Sequence, residues 1–187
     1  MTTMTIPMSW TRVEGGVCRY GDAGRHVSVP SLWWTTTPVT LGQLGTIGYP
    51  DAPVTGVTHA DATAIAARLG GRLPRSVEWE WMAAGPSRRL YPWGDDPWRP
   101  SLAQLEPCGQ RHPTPVGRHR DGATPEGLLD VAGCVWEWTA TTVMGGGAVV
   151  RGGSYASAPL YARCTFLNAA PAELASPGIG LRVVRPA

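Results

Sequence analysis

The chain has 187 residues, 43% of them hydrophobic and 16% charged, which is long enough for one domain with a real core and too apolar for disorder. Its net charge is +2 and no run of arginines forms a basic patch, so neither nucleic acid nor a membrane surface is an expected partner. All sixteen basic residues are arginine, which excludes a lysine base or a lysine Schiff base. The opening MTTMTIPMSWTRVEGG has no apolar core of a secretory signal, and no apolar run approaches the ~18 residues of a membrane span, so the expected location is the cytoplasm. Cys18, Cys108, Cys134 and Cys164 are far apart and lack a CxxC spacing, and in a reducing compartment they read as free thiols. The nine tryptophans can serve as core or as the wall of a ligand cleft, because each indole combines a large apolar area with one N–H.

In chain order, residues 1–9 are expected to be disordered. Residues 10–34 alternate apolar and polar around Gly21-Asp22-Ala23-Gly24, which predicts a β-hairpin ending at Trp33-Trp34. Residues 60–69 follow a Thr58 cap, carry Asp61 in the first turn and place Ala62, Ile65, Ala66 and Leu69 on one face. They predict a helix that Gly70-Gly71 stops. A second helix is predicted over 77–84, capped by Ser76 and ended by Gly85-Pro86. The 35 residues from Tyr91 to Pro125 contain seven prolines and read as a long loop, of the kind that is functional or held by specific contacts. Short strands are predicted over 135–139, 148–151, 161–166 and 181–184, with Gly145-Gly146-Gly147 as a tight turn. Helices early and strands late make an α+β fold in a single domain spanning 1–187.

Three groups of residues carry possible chemistry. In Trp136-Glu137-Trp138 a strand would send both indoles to one face and Glu137 to the other, where the carboxylate needs a partner such as an arginine or backbone N–H. Cys108, His112, His119 and Asp121 lie within fourteen residues of the proline-rich loop and supply soft and borderline metal ligands, although the spacing fits no recognised motif. Gly152-Gly153 permits positive φ and close backbone approach, so Ser154 and Tyr155 can be presented at a sharp turn.

Six ordered runs extend these observations: Arg72-Leu73-Pro74, Glu78-Trp79-Glu80-Trp81, Tyr91-Pro92-Trp93-Gly94, Gly127–Thr139, Val149–Tyr155 and Gly178–Val184. Together they resemble the formylglycine-generating enzyme, or sulfatase-modifying factor, superfamily from about residue 10 to the C-terminus. The resemblance implies a C-type-lectin-like fold with long ordered loops. It also places the copper-binding cysteines of true formylglycine-generating enzymes at Ser157 and Ala162, and a pocket asparagine at Gly178. All three are replaced here, so formylglycine generation is not expected. The family's calcium site would use Glu137 and an asparagine at the position of Cys134, and a thiol is a poor ligand for a hard cation, so firm calcium binding is not expected. Arg151–Asn168 is similar to the ergothioneine sulfoxide synthase branch, whose iron-binding histidines come from a separate helical domain. Asn168 matches a substrate-holding asparagine of that branch, while the acidic position after it falls on Ala169 or Ala170.

These features imply a stand-alone protein with a small-molecule or peptide cleft, and the first reading is a divergent metal-dependent oxidative enzyme of biosynthesis using iron or copper. The alternative is a non-catalytic binding module, or a subunit that completes a separate iron-binding helical protein. The expected ligand residues are Ser154, Tyr155, Ser157, Tyr161, Arg163 and Asn168, with indole area from Trp33 or Trp34. The candidate metal ligands are Cys108, His112, His119 and Glu137.

Overall fold

The Gly21–Gly24 turn closes a hairpin, with Gly21 and Gly24 at φ of 67° and 63°. It joins β2 (Gly16–Tyr20) to β3 (Arg25–Val29) in antiparallel register. The structure, a computed structural model, describes residues 6–46 and 48–187. Within it the hairpin is shorter than residues 10–34. β1 (Trp10–Val13) pairs with β4 (Leu32–Thr35), and β4 pairs with the C-terminal β9 (Val184–Pro186), giving a separate sheet in the order β1-β4-β9. Alternation had revealed strands here, but it carries no information on which strand pairs with which.

The expected disorder of residues 1–9 falls partly outside the described residues. For residues 6–9 it is corrected: the Ile6 N–H donates to Gly42 O at 3.1 Å, and the Thr36 N–H donates to Ser9 O at 2.9 Å.

The first helix, α1 (His59–Arg68), begins at Thr58 as expected. Thr58 Oγ1 accepts from the Asp61 N–H at 3.1 Å, and Asp61 Oδ2 accepts from the Thr58 N–H at 3.1 Å, a reciprocal cap that satisfies two otherwise orphaned donors. The second, α2 (Ser76–Ala84), starts one residue earlier than expected and is capped at Arg75. Glu78 Oε2 accepts from the Arg75 N–H at 2.7 Å, so the cap is the carboxylate reaching back and not the Ser76 hydroxyl. That hydroxyl accepts instead from Tyr20 Oη at 3.0 Å. Every residue of α2 is buried. Burial pushes the Glu78 carboxyl up, but hydrogen bonds from Arg72 and Arg75 outweigh it and hold the group below the usual glutamate range.

The remaining strands form one four-stranded sheet in the order β7-β6-β5-β8: β5 (Trp136–Val143), β6 (Gly147–Arg151), β7 (Leu167–Pro171) and β8 (Ile179–Leu181). The expected strand over 161–166 is corrected to a 3-10 turn at Pro159–Ala162 followed by a second turn, in which the Phe166 N–H donates to Arg163 O at 3.0 Å. Pro159 presets the backbone for that turn, and the strand begins only at Leu167. The expected strand over 181–184 also divides. Leu181 ends β8 beside β5, Val184 starts β9 beside β4, and Arg182 and Val183 cross between the two sheets.

The two faces of the four-stranded sheet have different fates. Trp138, Ala148, Val150, Ile179 and Leu181 turn toward α1 and form a core with Ala62, Ala66 and Leu73, with Trp136 half-buried at the edge. Glu137 and Arg151, paired across β5 and β6, face the other way, toward α2. The proline-rich loop is pinned by the buried amide of Gln104, which accepts from the Thr114 N–H at 2.8 Å and donates to His112 O at 2.9 Å.

Candidate functional site

Beyond the Trp136 end of the sheet lies a cleft of about 420 Å³. Its floor takes alternate residues from all four strands: Trp136, Val150, Asn168, Ala170 and Ile179. The register Val150↔Asn168 and Trp136↔Ile179 puts these side chains on one face. One wall is Ser154–Ser157, and another is the loop carrying Leu174, Ser176, Pro177 and Gly178, which meets the first where Gly178 adjoins Ser154. None of the lining residues carries a charge.

The Ser154 wall is rigid because its polar groups bond to each other. The Ser154 N–H donates to Ser157 Oγ at 2.9 Å, the two hydroxyl oxygens lie 3.2 Å apart, and the Ser157 N–H donates to Ser154 O at 2.9 Å. The Tyr155 N–H donates to Cys134 O at 2.9 Å, which fastens the wall to the loop before β5. Asn168 is exposed; its Oδ1 accepts from the Ala169 N–H at 2.9 Å, and its amide nitrogen has no partner among the described residues. At the rim, Tyr161 meets Phe166 edge-on with centroids 4.8 Å apart, and Trp136 lies 6.2 Å from Tyr161. The arrangement offers hydroxyl and amide hydrogen bonds over an aromatic floor, the make-up of a small-molecule site.

Of the residues expected to hold a ligand, Ser154, Tyr155, Ser157 and Asn168 line this cleft and Tyr161 stands beside it. Arg163 does not line it: the side chain borders a different cavity with Arg88 and Arg89. Trp33 and Trp34 belong to β4 in the other sheet, and Trp34 is core. The cleft indole is Trp136. The residues that sequence reasoning missed, Leu174, Ser176 and Pro177, sit on an irregular loop without a chemical signature; their one signal was the neighbouring Gly178, already placed at a pocket position.

The positions where copper cysteines would fall have separate environments. Ser157 is in the cleft wall, and Ala162 is fully buried against Leu105, Tyr91 and Ala132. Cys134 and Cys164 are buried, and burial above all pushes both thiols far up, away from the reactive thiolate. Burial also raises Cys18, to about 11.

The candidate metal ligands are not brought together. Cys108 Sγ lies 3.9 Å from Ala103 O, His112 Nδ1 lies 3.3 Å from Pro113 O, and His119 Nδ1 lies 3.8 Å from Asp130 Oδ1. Glu137 is fully buried and its oxygens are taken: Trp79 Nε1 donates at 2.7 Å and Arg182 Nη2 at 3.0 Å. Burial pushes its carboxyl up against the pull of those two donors. Among the described residues no group of three or more His, Cys, Asp or Glu could hold a metal ion. Nor, among them, is any helix long and apolar enough to cross a membrane.

Comparison with known proteins bears on this geometry. The sulfatase-modifying factor enzyme 1-like domain matches residues 34–187. Hercynine oxygenase of Mycolicibacterium thermoresistibile is 38% identical over 146 residues, 64% of this chain and 32% of that protein. Formylglycine-generating enzyme of Mycobacterium tuberculosis is 38% identical over 101 residues, 48% of this chain and 33% of that protein. The chain thus spans about a third of the length of these curated relatives. Among solved structures, Treponema denticola variable protein 1 superposes with a TM-score of 0.81 at 16% identity, covering 100% of this chain and 98% of the other. Its likeness is one of fold, and the fold is the loop-rich α+β, C-type-lectin-like one expected. With its ordered motifs, its sheet order and a matched domain that runs from β4 to the C-terminus, the chain belongs to the sulfatase-modifying factor enzyme family.

Proposed function

We propose that this chain supplies the substrate-holding cleft of an oxidative biosynthetic enzyme and takes an uncharged small molecule or peptide segment, without generating formylglycine. The similarity to hercynine oxygenases supports the reaction class. The observation that carries the ligand class is the lining of the cleft: serine hydroxyls, an asparagine amide and an indole, with no acid or base. Hercynine is a betaine with a fixed positive charge, and the acidic position that the resemblance places after Asn168 is alanine. A cation would enter this cleft without a counter-charge, which disfavours it.

The iron or copper that such chemistry implies does not fit the residues present, since the histidines are scattered and Glu137 is committed to Arg182 and Trp79. Metal ligands would have to come from elsewhere, as in the reading of a subunit that completes a separate helical protein. A binding module without chemistry is the second reading, favoured by Ser157 and Ala162 at the cysteine positions and by the burial of Cys134 and Cys164.

Ligand-observed NMR with matched neutral, cationic and anionic fragments tests the cleft, with hercynine as a separate zwitterionic probe. Neutral fragments are expected to bind best. Asn168→Ala and Ser154→Ala should each weaken them about fivefold, the loss of one hydrogen bond of about 1 kcal/mol, and Trp136→Ala more. Preference for hercynine, or binding indifferent to all three variants, would sink the assignment. A separate expectation concerns the lost cysteines. A sulfatase-type cysteine peptide incubated with the copper-loaded protein and oxygen should keep its thiol by mass spectrometry; aldehyde formation would refute the reading of Ser157 and Ala162.

A further inference from the structure

Sharing no lining residue with the cleft is a second cavity, of about 360 Å³, bordered by Asp22, Arg88, Arg89, Leu90, Arg163 and Thr165. We propose that it is a binding site for a phosphate-type oxyanion carried by a small organic molecule. Three chain segments meet there: the β2–β3 turn, the residues after α2 and the turn before β7. Each of the last two contributes guanidinium groups.

The arginines are held in place while most of their donors stay unused. Arg88 sits at φ 58°, in the left-handed region that non-glycine residues seldom occupy, and its Nη2 donates to Gly21 O. Arg89 Nη2 donates to Ala83 O at 3.0 Å, and its guanidinium fills the space where a side chain on Gly85 would stand, 2.6 Å from the nearest nitrogen. The Nε atoms of Arg88 and Arg89 are buried and have no acceptor. Arg163 is exposed and its side chain makes neither a hydrogen bond nor an ion pair among the described residues. Those Nε–H groups are sealed from solvent, so a ligand would meet the Nη edges of Arg88 and Arg89, where one nitrogen of each bonds to a backbone carbonyl, and the Arg163 guanidinium.

Counter-charge is scarce as well. Asp22 is the one carboxylate on the lining, and it comes within 4.0 Å of none of these guanidinium groups. From outside the lining Glu126 approaches Arg89 to 3.9 Å, and Asp95 Oδ1 accepts from the Leu90 N–H at 2.8 Å without pairing with any of these arginines. Backbone capping accounts for one donor of Arg88 and one of Arg89 and gives no role to Arg163. Guanidinium groups arriving from two segments suit an anion with acceptors on more than one face, which a phosphate has and a single carboxylate edge lacks. The cavity exceeds the volume of several water molecules at about 30 Å³ each, so room remains for an organic group beside the anion. The site shares no lining residue with the cleft and is independent of the oxidative reading.

Isothermal titration at low salt with inorganic phosphate, phenyl phosphate and benzoate tests it on the intact protein. Phosphate is expected to bind, phenyl phosphate more tightly, and benzoate at least about tenfold more weakly than phenyl phosphate, since charge-assisted bidentate bonds dominate. Equal affinity for the two phosphates would support the oxyanion site and assign it to free phosphate. Arg163→Ala should weaken phenyl phosphate about tenfold or more, Arg163→Lys less, and Arg88→Ala comparably to Arg163→Ala. The Arg163 side chain makes no hydrogen bond or ion pair among the described residues, so its variants report binding even if Arg88→Ala fails to fold. Failure of either phosphate to saturate, benzoate binding as tightly as phenyl phosphate, or an Arg163→Ala protein that binds like the parent would overturn the proposal.

Discussion

Arg182→Ala is expected to destabilise the protein by about 4 kcal/mol, the scale of breaking a buried ion pair by removing one partner. For a domain of this size that lowers the Tm by roughly 10 °C. Arg182 and Glu137 are both fully buried. The guanidinium donates to Glu137 Oε1 at 3.0 Å from Nη2, to Thr35 O and Thr36 O at 2.9 Å from Nη1, and to Leu129 O at 2.8 Å from Nη2. One side chain thus ties the crossing between the two sheets to β4, to the loop before β5 and to the start of β5. Removing it leaves a carboxylate with Trp79 Nε1 alone and takes the guanidinium from three carbonyls, of which Thr36 O keeps the Leu129 N–H at 2.8 Å. The double variant Arg182→Met with Glu137→Leu separates the two costs. It should recover part of the loss by removing the uncompensated charge, but not all, because the Thr35, Thr36 and Leu129 carbonyls still lack the guanidinium donors. Calorimetry reads both numbers. A single variant melting within about 3 °C of the parent, roughly 1 kcal/mol, would show that the pair is not what joins the sheets.

Gly152→Ala is expected to be nearly as damaging, and worse than Gly153→Ala. Both glycines hold positive φ, 98° and 77°. A side chain on Gly152 would stand 2.6 Å from Val131 O and 3.2 Å from the Trp79 ring, whereas one on Gly153 meets nothing closer than 3.4 Å. The Gly153 change therefore costs about 1–2 kcal/mol of backbone conformation. The Gly152 change adds a backbone clash, and about 3 kcal/mol or more is expected in all. The same shift would break the bond from the Gly133 N–H to Gly152 O, 2.8 Å long, and move the Ser154 wall of the cleft. Denaturant unfolding of the two variants checks the order. If Gly153→Ala proves the more harmful, the close approach at Gly152 is not the reason for the glycine pair.

The glycine pair shows how far local sequence reaches. Identity and spacing specified that the backbone turns sharply after Arg151, as they specified the Thr58 cap of α1, the turn at Gly21–Gly24 and the replacement of two cysteines by Ser157 and Ala162. Each of these depends on a residue's own conformational range or on neighbours three or four positions away. The motifs carried the family and its fold for the same reason, since they are contiguous runs of residue types.

Contacts across the fold decided the rest. Period-two alternation put Glu137 opposite Trp136 and Trp138, but only the assembled sheets supplied Arg182, 45 residues on, as its partner. Glu80 likewise meets Arg151 across 71 residues. Alternation also cannot say which part of a sheet face is left uncovered. Trp138 is sealed beneath the core around α1, while Trp136, two residues earlier, reaches the end of that cover and becomes the floor of the cleft. Place in the chain groups Arg163 with that cleft, whereas after the 3-10 turn at Pro159–Ala162 it borders another cavity with Arg88 and Arg89. Residue type fixes what a side chain can bond to, and only the packing of distant segments fixes what stands within reach.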